Sequence, residues 1–221
     1  ELSKPHAILV DQSGRRYMNE AGSYMAAAQN ILRRNQTVQA VPSWMIVDDQ
    51  YYRRYMLSGT LPGAPKRKAW IKSGFLKTAN TLRELALACQ IAPEVLEGTV
   101  SRFNSFVDRG VDEDFGRGRR VYDQWLGDAT DPTHPTLGKI EKGPFYAVRV
   151  YPGDVSTYGG LVTDEHARVL RNDGSVIAGL YATGTSTASV MGRVYPGAAC
   201  SVGPSFTWGY VAAKHAAGVT R

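Results

Sequence analysis

The stretch from residue 180 to residue 218 limits this chain most: an apolar segment stops at Gly184, a loop of small residues follows, and a helical pattern closes it. Leu180-Tyr181-Ala182-Thr183-Gly184 reads as a strand ending in glycine, and a helix is expected from about Pro204 to Ala217, with Pro204 in its first turn and Gly218 as its stop. Such a strand, loop and helix let backbone rather than side chains approach a large planar ligand. Free N–H groups and the positive dipole end near Ser201 to Ser205 favour partial negative charge on that ligand. A glycine-rich turn that only packs a helix on a sheet satisfies the same pattern, so these residues alone leave both readings open.

Upstream, His6 to Asp11 reads as a short strand closed by the turn Gln12-Ser13-Gly14, and a helix follows Asn19-Glu20 as far as about Arg34. Ser43 to Val47 reads as a strand, and Asp48 to Leu57 as a short helix with Tyr51, Tyr52 and Tyr55 at helical spacing. The Gly, Pro and Lys content from Ser58 to Thr78 predicts a long loop. Thr81-Leu82-Arg83-Glu84 has the spacing of a capping box, opening a helix with Leu82, Leu85, Ala86 and Cys89 on one face. Pro93 opens the next helix, whose apolar stripe of Val95, Leu96, Val100, Phe103, Phe106 and Val107 ends at Gly110. Residues 111–144 give no periodic signal. Pro144 to Val150 reads as a strand, and Ala167–Leu170 with Val176–Ala178 as a hairpin about Asn172-Asp173-Gly174-Ser175. A domain change is expected near residues 145–155.

Composition narrows the function classes. With 43% hydrophobic and 21% charged residues the chain is an ordinary globular sequence, and no apolar run has transmembrane length. A net charge of +6 raises nucleic acid as a partner, yet the densest basic run, Lys66-Arg67-Lys68, sits between prolines and glycines as a solvated loop would. No nucleic-acid partner is expected, although the basic loop leaves peripheral membrane contact open. Cys89 and Cys200 match neither a disulfide framework nor a metal spacing, so a reducing, cytoplasmic setting is the simplest expectation. His6, His134, His166 and His215 are scattered, and no metal site is expected.

The motifs ASVMG, YPGAA and VGPSFTWGY resemble the C-terminal segment of 3-ketosteroid dehydrogenases in the fumarate reductase-type flavoprotein superfamily. GRRYMNEAGSY at residues 14–24 is similar to that family's entry to its catalytic domain, and FNSFVDRGVDEDFGRG and GPFYAV match as well. The resemblance implies an α/β flavoprotein piece: an α+β substrate and catalytic domain over residues 1–150, then the C-terminal part of a Rossmann-like FAD-binding domain over residues 151–221. Superfamily members that act on dicarboxylates place an arginine where this chain has Tyr195. An arginine fork binds a carboxylate bidentately and a phenol does not, so a neutral carbonyl is the implied substrate group.

For 3-ketosteroids the resemblance implies desaturation at C1–C2, beside the carbonyl. Tyr195 and a backbone N–H would hold the carbonyl oxygen, Tyr24 as tyrosinate would take the proton, and FAD would accept the hydride at N5. The N–H donor, a glycine in the family, falls here on Ala199, which serves only if its dihedrals suit a residue with a Cβ. Because of that departure, C4–C5 desaturation and another neutral cyclic ketone stay open, as does a non-catalytic partner subunit. Tyrosine, with an ordinary pKa of about 10, needs help to ionise, and Arg15 and Arg16 are candidates unless they form a solvated pair after the turn. Gly159, Gly160, Gly184, Thr185, Ser189, Ser201 and Val202 are implied cofactor contacts; Tyr158 and Pro196 are implied substrate contacts for a hydrophobic, steroid-like ligand.

A dinucleotide-binding site needs its G-x-G-x-x-G turn after a first strand, and none occurs in this sequence. The expected partner is therefore a second polypeptide, or an N-terminal half, that carries this motif.

Overall fold

A computed structural model describes residues 1–156 and 159–219. The chain divides into two compact units, Glu1–Pro152 and Gly153–Arg221.

The first unit is built on an antiparallel sheet of β1 (Ala7–Val10), β2 (Ser43–Val47), β3 (Leu76–Ala79) and β4 (Phe145–Val150), in the order β1-β2-β4-β3. Its sequences, AILV, SWMIV and FYAVRV, are nearly continuous apolar runs because both faces are covered. Side chains alternate across a strand, so Ile8, Val10, Trp44, Ile46, Phe145 and Ala147 enter one core. Ala7, Leu9, Met45, Val47, Tyr146 and Val148 enter the other.

Helices α4 (Leu82–Ala88) and α5 (Pro93–Arg109) close the first core through Leu85, Ala86, Leu96, Val100 and Phe103. The capping box forms: Glu84 N–H donates to Thr81 Oγ1 at 3.1 Å, and Thr81 N–H donates to Glu84 Oε2 at 3.2 Å. Helices α1 (Tyr24–Arg34) and α2 (Asp49–Arg54) close the second core through Ala27, Ile31 and Tyr51.

Three expectations change in this unit. The loop expected from Ser58 to Thr78 contains a short helix, α3 (Lys68–Lys72), and ends inside the edge strand β3, registered through Leu76↔Val148 and Thr78↔Tyr146. Leu-Lys-Thr-Ala is too short and polar to announce itself; pairing with β4 makes it a strand. The helix expected as far as Leu57 stops at Arg54. The aperiodic region 111–144 contains α6 (Val121–Leu126) and supplies buried charges to the core.

In the second unit β5 (Arg168–Leu170) pairs antiparallel with β6 (Val176–Tyr181). Leu180-Tyr181 is therefore the end of the hairpin's second strand rather than a further strand; Gly179, at φ +76° inside β6, mimics a break. A 3₁₀ turn at Gly184–Ser186 leads on, and α7 (Val202–Ala216) is the last helix. Gly218, at φ +69°, follows its end. The histidines scattered in sequence do meet in part: His166 and His215 stack with ring centroids 4.6 Å apart, and Tyr181 Oη lies 2.8 Å from His215 Nδ1.

Candidate functional site

Each unit carries part of the expected site. In the first, Tyr24 is the opening residue of α1, directly after Ser23, whose Oγ caps Ala26 N–H at 3.3 Å. Its side chain is 62% exposed, so it stands on the surface of this unit rather than in its core. The chain leading to it is tied down. Asn19 Oδ1 accepts from Ala21 N–H at 2.8 Å, and Asn19 Nδ2 donates to Asp123 at 2.9 Å.

Beneath this segment lies a buried ionic cluster. Arg16 Nη2 is 2.8 Å from Glu20 and 2.9 Å from Asp112, and Arg117 Nη1 is 3.3 Å from Glu20 and donates to Ala7 O at 2.7 Å. Burial would raise the Glu20 carboxyl, but Arg16 first and Arg117 next outweigh it and hold it below the usual carboxylate range. Arg16 is thus not a solvated surface charge. Its guanidinium is committed to two carboxylates. Sequence reasoning missed Asn19, Asp112, Arg117 and Asp123 as supports because their partners across the cluster lie about a hundred residues away; a local trace is the four-residue spacing of Arg16 and Glu20.

In the second unit Gly184, Thr185, Thr187, Ser189, Val190, Cys200, Ser201 and Pro204 line a narrow cleft. Its free space of about 10 Å³ takes one water-sized group, so it can receive the edge of a ligand but not a ring system. Four expected contacts, Gly184, Thr185, Ser189 and Ser201, converge here. Thr187 was not anticipated; buried, its Oγ1 donates to Gly184 O at 2.8 Å and holds the turn.

Glycine is required at two positions. A Cβ on Gly184, which has φ +64°, would lie 2.2 Å from Ser205 Oγ, and a Cβ on Gly160 would lie 2.2 Å from Ser186 O. Gly160 is thus already explained by its packing on the turn, where Leu161 N–H donates to Ser186 O at 3.0 Å. Gly159 is exposed, with open space where its Cβ would be. Tyr158 lies outside the described residues.

The start of α7 offers fewer donors than its length suggests. Gly203 N–H is used by Ala199 O at 2.7 Å, Ser205 N–H goes to Ser201 O at 3.3 Å, and Pro204 has none. Among the described residues, Ser201 and Val202 keep their N–H groups unpaired, with no side-chain cap over them. These two donors favour partial negative charge on a ligand.

Beside this cleft a more open one of about 330 Å³ is walled by Val190, Met191, Ala198, Ala199, Cys200, Gly203, Pro204, Thr207 and Trp208. Ala199 has φ +69°, the left-handed conformation that glycine adopts freely, and among the described residues its N–H makes no hydrogen bond. The condition set by the sequence, dihedrals that suit a residue with a Cβ, is therefore not met: alanine takes the course of a glycine here, at a cost in strain. Tyr195 is half-buried and Pro196 exposed, and neither lines this cleft.

Two units of mixed helix and strand, the second with a narrow cleft at a helix start, place the chain in the α/β class. The family described as FAD binding domain matches residues 1–202, and the chain belongs to it. It is 43% identical to a 3-oxosteroid 1-dehydrogenase of Mycolicibacterium smegmatis over 96% of this chain and 38% of that protein. A 4-oxocyclohexanecarboxylate 2-dehydrogenase of Sinomonas cyclohexanicum is 38% identical over 99% of the chain and 38% of its own length. The structure of 3-ketosteroid delta1-dehydrogenase from Sterolibacterium denitrificans, in complex with 1,4-androstadiene-3,17-dione, matches with a TM-score of 0.92 at 37% identity, covering 99% of this chain and 40% of that one. The chain thus spans about two fifths of the length of these relatives. The cofactor of the family is FAD. Among the described residues no helix is long and apolar enough to cross a membrane, and no group of three His, Cys, Asp or Glu could hold a metal ion.

Proposed function

We propose that the protein containing this chain dehydrogenates a 3-ketosteroid beside its carbonyl, at C1–C2. The observation that carries this is the cleft at Ala199, whose lining has apolar and small residues and no charged side chain, as a neutral apolar ring requires and a dicarboxylate does not. Tyr195, in place of an arginine, supports the same choice.

In this reading the Tyr195 hydroxyl and the Ala199 N–H donate to the carbonyl oxygen and stabilise its enol-like form, which acidifies the neighbouring C–H. Tyr24, as tyrosinate, takes the proton. Gly184, Thr185, Ser189, Ser201 and Val202, with Gly159 and Gly160, hold FAD, and Pro196 and Tyr158 meet the substrate. Bound FAD supplies a hydride acceptor at N5. Residues 1–150 serve as the substrate domain and 151–221 as part of the FAD-binding domain, working with a dinucleotide-binding half from the same or a second polypeptide.

A second reading, a monocyclic ketone, is favoured by the methyl group that Ala199 adds to the site; the Sinomonas protein, named for a 4-oxocyclohexanecarboxylate, supports the single ring but not its neutrality. Turnover of androst-4-ene-3,17-dione and of cyclohexanone by the flavin-loaded protein separates the two. Tyr24→Phe should lower the faster rate by about a hundredfold or more. An unchanged rate would make this chain a non-catalytic part of the assembly.

A further inference from the structure

Resting on the ketone reading above, we infer that Ala199 is a specificity-determining residue: it selects ring ketones that carry no substituent on the carbonyl-flanking carbon away from the dehydrogenated bond. Its left-handed φ of +69° keeps the backbone course that a glycine would take, so the direction of its N–H is preserved. What alanine adds is a methyl group at the donor residue itself, and Ala199 lines the 330 Å³ cleft. A hydrogen bond of about 2.9 Å from that N–H to the carbonyl oxygen brings the two carbons flanking the carbonyl within van der Waals reach of the donor residue. One of them loses its hydrogens in the reaction and must stay unhindered in any case. The other is where the Ala199 methyl discriminates. Val190, Met191 and Trp208 bound the same cleft, so a substituent beside the Ala199 methyl competes with it for the space at the donor.

The test compares the flavin-loaded protein with its Ala199→Gly variant, using a 3-oxosteroid and its 4-methyl counterpart. The variant should narrow the preference for the unsubstituted ketone, as a ratio of kcat/KM values, by about tenfold or more. Ala199→Ser, which keeps the Cβ, should retain the original preference. An unchanged ratio in Ala199→Gly, with both ketones still turned over, overturns the inference and leaves the ketone reading standing. If the unmodified protein turns over neither ketone, both fall together.

Discussion

Gly184 and Ser205 approach so closely that a Cβ on the glycine would lie 2.2 Å from Ser205 Oγ and 3.1 Å from Ser205 Cβ. This contact joins the turn after β6 to the first turn of α7, and the narrow cleft lies between them. Gly184→Ala meets two costs: about 1–2 kcal/mol for a side chain at φ +64°, and the displacement of α7. Thermal unfolding should show a loss larger than the backbone cost, with reduced flavin retention. Adding Ser205→Ala should recover part of the loss; no recovery would mean that the contact with Ser205 Oγ costs nothing.

Ala199 has the opposite balance. Its left-handed backbone costs about 1 kcal/mol that glycine does not incur. Ala199→Gly should raise the stability of the folded protein by up to that amount, offset in part by the greater freedom of glycine when unfolded. Differential scanning calorimetry measures it. A loss of more than 1 kcal/mol would show that the methyl group contributes packing that outweighs the strain.

The buried cluster of Arg16, Glu20, Asp112 and Arg117 predicts acid sensitivity. Glu20 is held below the ordinary carboxylate value of about 4.3. Its folded pKa is depressed, so its stabilisation is present above the unfolded value and disappears as pH falls through the folded one. Glu20→Gln leaves Arg117 buried without its counter-charge and should cost about 3–5 kcal/mol at neutral pH. It should also flatten the pH dependence of stability below about pH 4.3, which denaturant titrations across that range would reveal. A slope equal to that of the unmodified protein would contradict the assignment.

Cys89 lies in the core against α4 and α5, and burial pushes its thiol up to about 12. At pH 8 it is protonated and enclosed, so a thiol reagent should label it only as the unit opens, and completely in denaturant. Rapid labelling of Cys89 in the native protein would contradict this packing.

Much of the fold is written locally. The Thr81–Glu84 box, Pro93 opening α5, Gly110 closing it and the tetrapeptide of β1 are set by side chains that act within a few residues of themselves. The convergence of Gly184, Thr185, Ser189 and Ser201 was also legible, because a strand end, a short loop and a helix start are forced together by chain connectivity. What could not be read depends on residues distant in sequence. Arg16 looks like a surface charge until Asp112, 96 positions away, pairs with it in a buried cluster. Leu76–Ala79 becomes a strand only beside β4. The hand of Ala199 is likewise absent from its side chain, since alanine prefers the right-handed region and only the tight passage into α7 imposes the other. The sequence by itself determined most of the elements and the family; tertiary structure decided the edge strand β3, which charges are buried and how the backbone is turned at the site, because those energies exist only once distant segments have packed.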